Sequence, residues 1–484
     1  MQKVNPIIHA LAKLGVFYSV LLMIPAAASY LFRDGTFRAF ALTAAFTFSG
    51  SLLAMLLTAR HARELRVRDG FTLVFVLWVG FAAISAMPFY LYFPALSYTD
   101  AFFEAISGLT TTGATVFTSL DTLAPGLNFW RHMMNWLGGM GIIVLAVAVL
   151  PMLGVGGTQL FKAEIPGIDK DSKMAPRISQ TAKKLWLVYI GFTAATCLSL
   201  KAAGMGWFDA VCHAMSTFSL GGFSTHDSSI AFFDSVAVES VIMLFTVLGG
   251  MNFAAHFAVA HEKSLKPYWR NEETRNMLMI LAASIVAASL YLWAKDYYSL
   301  GDAFRFVSFN FVSIGLANGY ANADFGQWPL LVTLWLFFLA NVLANTGSMG
   351  GGIKLARAIV LAKFSLREVS LLLHPNAVRN VKLNRHSVSE RTAMAVMAFI
   401  FVYFMTVVVF TLALLASGLD FVSALTATIA CITNAGPGLG MVGPAYNYAE
   451  LGDFQKWLCT MVMLLGRLEI FTVFILFTPA YWRK

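Results

Sequence analysis

Thr110-Thr111-Thr112-Gly113-Ala114-Thr115, Ser219-Leu220-Gly221-Gly222-Phe223, Ala317-Asn318-Gly319-Tyr320-Ala321 and Asn434-Ala435-Gly436-Pro437-Gly438 each lie between two apolar stretches long enough to cross a membrane. With Gly113, Gly221, Gly319 and Gly436 as the register, the spacings are 108, 98 and 117 residues. None of these segments carries a charged side chain. The chemistry they offer is that of the backbone carbonyl. A dehydrated cation needs several oxygens at fixed range, and rings of carbonyls supply them in selectivity filters. A mid-strand glycine can turn carbonyls toward a common axis, because it adopts backbone conformations closed to other residues. The candidate cation-binding residues are Thr111, Thr112, Gly113, Leu220, Gly221, Asn318, Gly319, Asn434, Ala435 and Gly436. One such glycine alone could serve helix packing or a loop. Four in the same place in four units argue for a shared axis.

A second group could control that axis. The run Asn345-Thr346-Gly347-Ser348-Met349-Gly350-Gly351-Gly352 interrupts the apolar segment 328–361 and holds four glycines in eight residues. Helix propensity is poor there, and Leu330 to Ala344 is too short to finish a crossing. The helix is expected to break inside the membrane, below the third glycine segment. Gly347, Ser348, Met349, Gly350, Gly351 and Gly352 are the candidate gate, with close helix packing as the alternative. Arg467 lies within the last apolar segment, in Gly466-Arg467-Leu468-Glu469. A charge there must be paired or face water. Glu469 projects from a different side of a helix and is a poor partner. Arg467 is expected to face the cavity or pair across helices and, beside the 347–352 loop, to act as a barrier to cations. The pairs Gly138-Gly139 and Gly249-Gly250 read as close-packing sites.

Acidic residues including Asp100, Glu104, Asp121, Asp209, Asp227 and Asp302 fall on the same face as the glycine segments, where a cluster would attract cations. Asp100, Asp209 and Asp302 also read as N-caps of short helices. The four cysteines lack CxxC spacing and read as packing residues. Neither an HExxH motif, nor a Walker loop, nor a nucleophile motif occurs. Enzyme chemistry has nothing to stand on.

The elements that must hold these residues follow from composition. Of 484 residues, 58% are hydrophobic and 12% charged, about half the charge of a soluble domain. The reading is an all-α membrane protein. Spans are expected near 12–32, 38–58, 70–92, 129–151, 183–203, 235–261, 276–296, 328–361, 390–417 and 453–480, the first uncleaved. The loops then assigned to the cytoplasm hold 26 of the 34 Lys and Arg, which places both termini inside. The net charge of +9 thus follows membrane topology, not nucleic acid. A simple hairpin at 1–66 is followed by four units, 67–155, 156–265, 266–365 and 366–484. Each unit contains a span, a short helix that stops midway, a glycine loop and a second span. Non-helical backbone at membrane depth must be buried in protein or line a water-filled cavity. Each unit returns to its starting side, so four can surround one axis normal to the membrane.

The glycine segments, Ser348-Met349-Gly350-Gly351-Gly352-Ile353-Lys354 and Gly466-Arg467-Leu468-Glu469 together resemble the bacterial Trk/Ktr/HKT potassium transporter superfamily. The N-terminal hairpin is similar to that of its Trk-type branch. The resemblance implies four membrane–pore–membrane repeats around a central potassium-channel-like pore. It implies a filter glycine per repeat at Gly113, Gly221, Gly319 and Gly436, a gating loop at Gly347–Gly352 and a pore arginine at Arg467. It further implies potassium uptake across the bacterial inner membrane, with K+ as the transported ion and no covalently bound cofactor. Homodimers are expected. So is a cytoplasmic nucleotide-binding regulatory subunit, TrkA-like, on basic loops such as 152–184 and 354–391. The chain has no Rossmann fingerprint, so any nucleotide would sit on that partner. A sodium-permeable or ion-coupled transporter, or a carrier for an organic solute, are the alternatives.

Overall fold

The computed structural model describes residues 5–59, 67–144, 178–377, 380–384 and 386–483. It opens with a hairpin, α1 (Asn5–Leu21) and α2 (Met23–Phe32) running against α3 (Phe37–Thr58). Four variations on one unit follow. The leading helices are α4 (Val67–Tyr92), α7 (Ile178–Ala202), α11 (Glu272–Ala294) and α15 (Glu390–Ala416). Sequence explains their length. In α15, Ser389 caps the start by accepting from the Thr392 amide, Glu390 occupies the first turn, and an apolar run reaches Ala416. Its 27 residues extend about 40 Å, enough to cross the hydrocarbon core.

The half-helices are α5 (Tyr98–Leu109), α8 (Trp207–Phe218), α12 (Leu300–Gly315) and α16 (Phe421–Thr433). At 12 to 16 residues they reach about 18–24 Å, which is short of a crossing. The closing helices are α6 (Pro125–Val144), α9 (Val236–Gly250), α13 (Leu330–Val342) and α17 (Asp453–Arg467). Further helices continue three of them: α10 (Phe253–Glu262) after α9, α14 (Leu355–Leu373) after α13 and α18 (Ile470–Phe477) after α17. A two-residue antiparallel hairpin, β1 (Lys382–Leu383) and β2 (His386–Ser387), precedes α15.

Among the described residues, six helices are long and apolar enough to span a membrane unaided. The expected break after α13 is present, with a loop from 343 to 354. The expectation of continuous spans at 235–261 and 453–480 is corrected. The chain turns by 102° after Gly250 and by 112° after Arg467. Three of the four closing helices therefore break: two at a glycine-containing pair, Gly249-Gly250 and Gly466-Arg467, and the third at the loop that contains Gly350-Gly351. The tail of the expected span 129–151, from 145 onward, lies outside the described residues.

Each half-helix packs between the leading and closing helices of its own unit. Each closing helix also packs on the half-helix of the next unit: α6 on α8, α9 on α12, α13 on α16, and α17 back on α5. The last contact closes the ring. The hairpin stands outside it, with α2 against α6 and α1 against α4.

Candidate cation pathway

Three of the four half-helices begin with side-chain caps, and all four end in one backbone motif. Ser97 and Ser299 accept from the amides of Asp100 and Asp302, and Asp420 accepts from Ser423. Asp100 and Asp302 are thus first-turn residues and not the caps expected, and Gly206 precedes the helix that holds Asp209. Carboxylates in a first turn still favour the positive end of the helix. At the other end, Thr111, Leu220, Ala317 and Asn434 adopt left-handed φ of 54°, 55°, 61° and 54°. Their amides bond three residues back. The next amides, those of Thr112, Gly221, Asn318 and Ala435, bond five back to Ser107, Ser216, Ser313 and Ala430. This is the Schellman arrangement, usually built on glycine. Here three of the four left-handed residues are Thr, Leu and Ala, at a cost of about 1–2 kcal/mol each. The surrounding packing must impose it.

Two residues later each chain is left-handed again, at Gly113, Gly222, Gly319 and Gly436, with φ of 79°, 70°, 98° and 83°. These glycines interlock around the ring. A methyl added to Gly113 would sit 2.4 Å from the Gly221 carbonyl oxygen. One on Gly222 would meet the Asn318 oxygen at 2.2 Å, one on Gly319 the Ala435 oxygen at 2.6 Å, and one on Gly436 the Thr112 oxygen at 2.6 Å. Each contact runs to the next repeat, and the fourth returns to the first. The carbonyls of Thr112, Gly221, Asn318 and Ala435 thus share one level, each wedged against a glycine. A single cavity is lined by Gly113, Gly222, Gly319 and Gly436. The register is therefore corrected at one position. Gly222, not Gly221, is the counterpart of the other three glycines, and Gly221 supplies the carbonyl. Gly221 lies instead against Asn135, whose side chain a methyl there would strike at 2.4 Å.

Below this level the closing helices carry their own repeat. The first glycine of each pair abuts the end of its own half-helix. A methyl on Gly138, Gly249, Gly350 or Gly466 would lie 1.8, 3.1, 3.0 or 2.2 Å from the oxygen of Leu109, Phe218, Leu316 or Ile432. The second glycine abuts the following repeat, with Gly139 on Ser219, Gly250 on Leu316 and Gly351 on Thr433. In the fourth repeat Arg467 occupies that second place. Its Nη1 donates to the Met349 oxygen at 2.9 Å and its Nη2 to the Gly138 oxygen at 3.0 Å. Arg467 is 5% exposed, so it bolts the 347–352 loop to the first closing helix.

The loop is held at both ends. The Glu273 carboxylate accepts from the Thr346 amide and, at 3.1 Å, from the Ala356 amide. Asn345 donates to Thr274 at 2.9 Å, and the Phe253 amide donates to the Gly347 oxygen at 3.1 Å. Gly347 and Gly352 are left-handed, at φ of 75° and 81°. Lys354 bonds the Gly350 oxygen.

A family model for TrkH, described as cation transport protein, matches residues 37–484. The chain belongs to the TrkH family. Relatives include a Trk system potassium uptake protein TrkH of Halomonas elongata, 43% identical over 99% of both chains. That of Escherichia coli K12 is 41% identical over 97% of both. The crystal structure of the potassium transporter TrkH from Vibrio parahaemolyticus superposes with a TM-score of 0.90 at 38% identity, covering 99% of each chain. The chain is thus a multi-pass membrane transport protein and not an enzyme.

In this TrkH-family chain several sequence expectations move. Glu104 does not belong to an acidic mouth. It is fully buried and pairs with the equally buried Arg131 at 2.7 Å. Asp100 pairs with Lys456 at 2.6 Å, and Asp121 with His226. Glu469 pairs with Arg357 at 2.6 Å and leaves Arg467 to backbone carbonyls. Glu104, Arg131 and Glu273 carry no sequence motif, and only their burial singles them out. Arg467 had a usable signal, because Gly466-Arg467 aligns with Gly138-Gly139, Gly249-Gly250 and Gly350-Gly351.

Proposed function

We propose that this chain takes up potassium across the bacterial inner membrane by channel-like permeation through the ring of Thr112, Gly221, Asn318 and Ala435 carbonyls. One observation carries the reading: four glycines from four repeats each abut a carbonyl of the next repeat, and the fourth contact returns to the first. Such a ring offers a dehydrated cation oxygens from four directions. The half-helices aim their partly negative ends at the space beneath, which favours a cation there. The names of the relatives, Trk system potassium uptake protein, supply the ion.

The 347–352 loop lies beneath this ring and is the gate in this reading, with Arg467 as the positive charge that must move. The word system in those names fits a cooperating component, for which a cytoplasmic nucleotide-binding subunit of the TrkA type is proposed. It would dock on the basic segment 354–391, of which β1–β2 is part. The other proposed docking loop, 152–184, lies outside the described residues up to 177. The chain works as a homodimer in lipid with both termini cytoplasmic. The repeats are those set out at 67–155, 156–265, 266–365 and 366–484.

Rubidium uptake into liposomes holding the purified chain and a potassium gradient tests this. Uptake suppressed by external potassium far better than by sodium is expected. Equal suppression overturns selective potassium uptake in favour of a sodium-permeable pathway.

A further inference from the structure

Behind the ring, each half-helix reaches its own ascending strand through a polar residue at one shared level. Seven residues before the left-handed residue stand Glu104, His213 and Asn310, and the fourth repeat uses Thr426, one residue earlier. Glu104 accepts from the Val116 amide at 3.0 Å and from the Thr115 hydroxyl at 3.0 Å. His213 Nε2 meets the Ser224 hydroxyl at 3.0 Å. Asn310 donates to Asn322 at 2.7 Å, and Thr426 accepts from the Leu439 amide at 2.9 Å.

The first of these braces reaches further than the rest. Arg131 donates from Nε to Glu104 at 2.7 Å and from Nη2 to Thr115 at 3.3 Å. Its Nη1 crosses to the second repeat and donates to the Ser224 carbonyl at 3.0 Å. The guanidinium lies 4.2 Å from the centre of the Phe223 ring. Phe223 directly follows Gly222, and Thr115 lies two residues beyond Gly113. One buried ion pair thus grips two neighbouring strands just outside the carbonyls they carry. A buried pair is expensive to desolvate and weak evidence for stability alone. Its planar fork does fix a distance and an angle, which a neutral contact fixes less well.

We propose that Glu104 and Arg131 are positioning residues for ion selectivity: they hold the first and second strands at the spacing that lets the ring prefer potassium over sodium. Neither touches the ion. They act through Thr115, Val116, Phe223 and the Ser224 carbonyl. The proposal rests on the reading of this chain as a selective potassium pathway.

The test is rubidium uptake by the full-length chain in liposomes, suppressed by potassium or by sodium, for the wild type, Gly113→Ser, Glu104→Gln and Thr115→Val. Glu104→Gln keeps the shape and removes the charge. Its potassium-over-sodium preference is expected to fall about tenfold, as for loss of a hydrogen bond to a charged group. Thr115→Val removes hydroxyl bonds to both charged groups and is expected to lower it by a similar factor. A brace that only aids folding would reduce total flux and leave the ratio at the wild-type value. That result, with Gly113→Ser still losing preference, overturns the proposal and spares the functional reading. A wild type without preference overturns both. If Glu104→Gln does not reconstitute, the ratio for Thr115→Val decides.

Discussion

A carbonyl oxygen becomes a cation ligand only when its peptide is turned and kept turned. In this chain two left-handed residues flank each turned peptide, and the second is always a glycine. A side chain at that glycine would meet both an unfavourable φ and the oxygen of the next repeat. Gly222→Ser and Gly113→Ser are therefore both expected to lower the potassium-over-sodium uptake ratio, and an unchanged ratio for Gly222→Ser would remove Gly222 from the ring. The sequence could not choose between Gly221 and Gly222, because two adjacent glycines satisfy the same pattern. Only the backbone angle separates them. Arg467 is a second residue-scale case. Its two bonds to carbonyls tie the loop to the first closing helix; if the loop is the gate proposed above, they oppose its opening, and losing them is worth about 2 kcal/mol. Arg467→Gln should then raise flux without a regulatory subunit by up to about thirtyfold, read as initial rubidium uptake. A fall in flux would speak against the barrier.

Helices here fail where their residues require it. The closing helix of the third repeat stops at Val342 because glycine-rich chain follows, and this was legible from composition. The breaks after Gly250 and Arg467 were not. Each is short, and its flanks remain apolar enough to read as one continuous span. What sustains the long loop is a set of buried acceptors and donors, since backbone at that depth must be paired. Glu273 supplies the side-chain acceptor at both ends, holding amides at 346 and 356. Glu273→Ala would leave two buried amides unpaired, at about 1–3 kcal/mol each. It is expected to raise basal flux and to lower thermal stability together. Deleting Ser348 to Gly351 should raise basal flux as well. Loss of folding, or unchanged flux, would favour packing as the role of the loop.

At the scale of the whole molecule, the ring closes because α17 packs on α5 across most of the chain's length. The hairpin is fastened to it by Asp34, which accepts from the Gly126 amide at the start of α6 and from the Thr36 amide at 3.0 Å. Partial burial alone would raise the Asp34 carboxyl. The hydrogen bonds from Ser29, Thr36 and Gly126 outweigh it and hold the group below its ordinary value. A depressed folded value means that this stabilisation is present above the unfolded value, about 3.9, and is lost as pH falls through the folded one. Asp34→Asn should lower the thermal midpoint at pH 7 by a few degrees and flatten the acid limb of stability against pH. A wild-type acid limb in that variant would exclude Asp34 as its source. The sequence by itself determined the membrane class, the four-unit order, the half-helices and the glycine-rich interruption. All of these follow from local composition and from how far an apolar run can reach. Tertiary structure alone decided which glycine of the second repeat faces the axis, that Arg467 binds the carbonyls of Met349 and Gly138, and that Glu104 meets Arg131 behind the first strand. Those choices depend on contacts between residues 27 to 329 positions apart in the chain, and a local pattern carries no record of them.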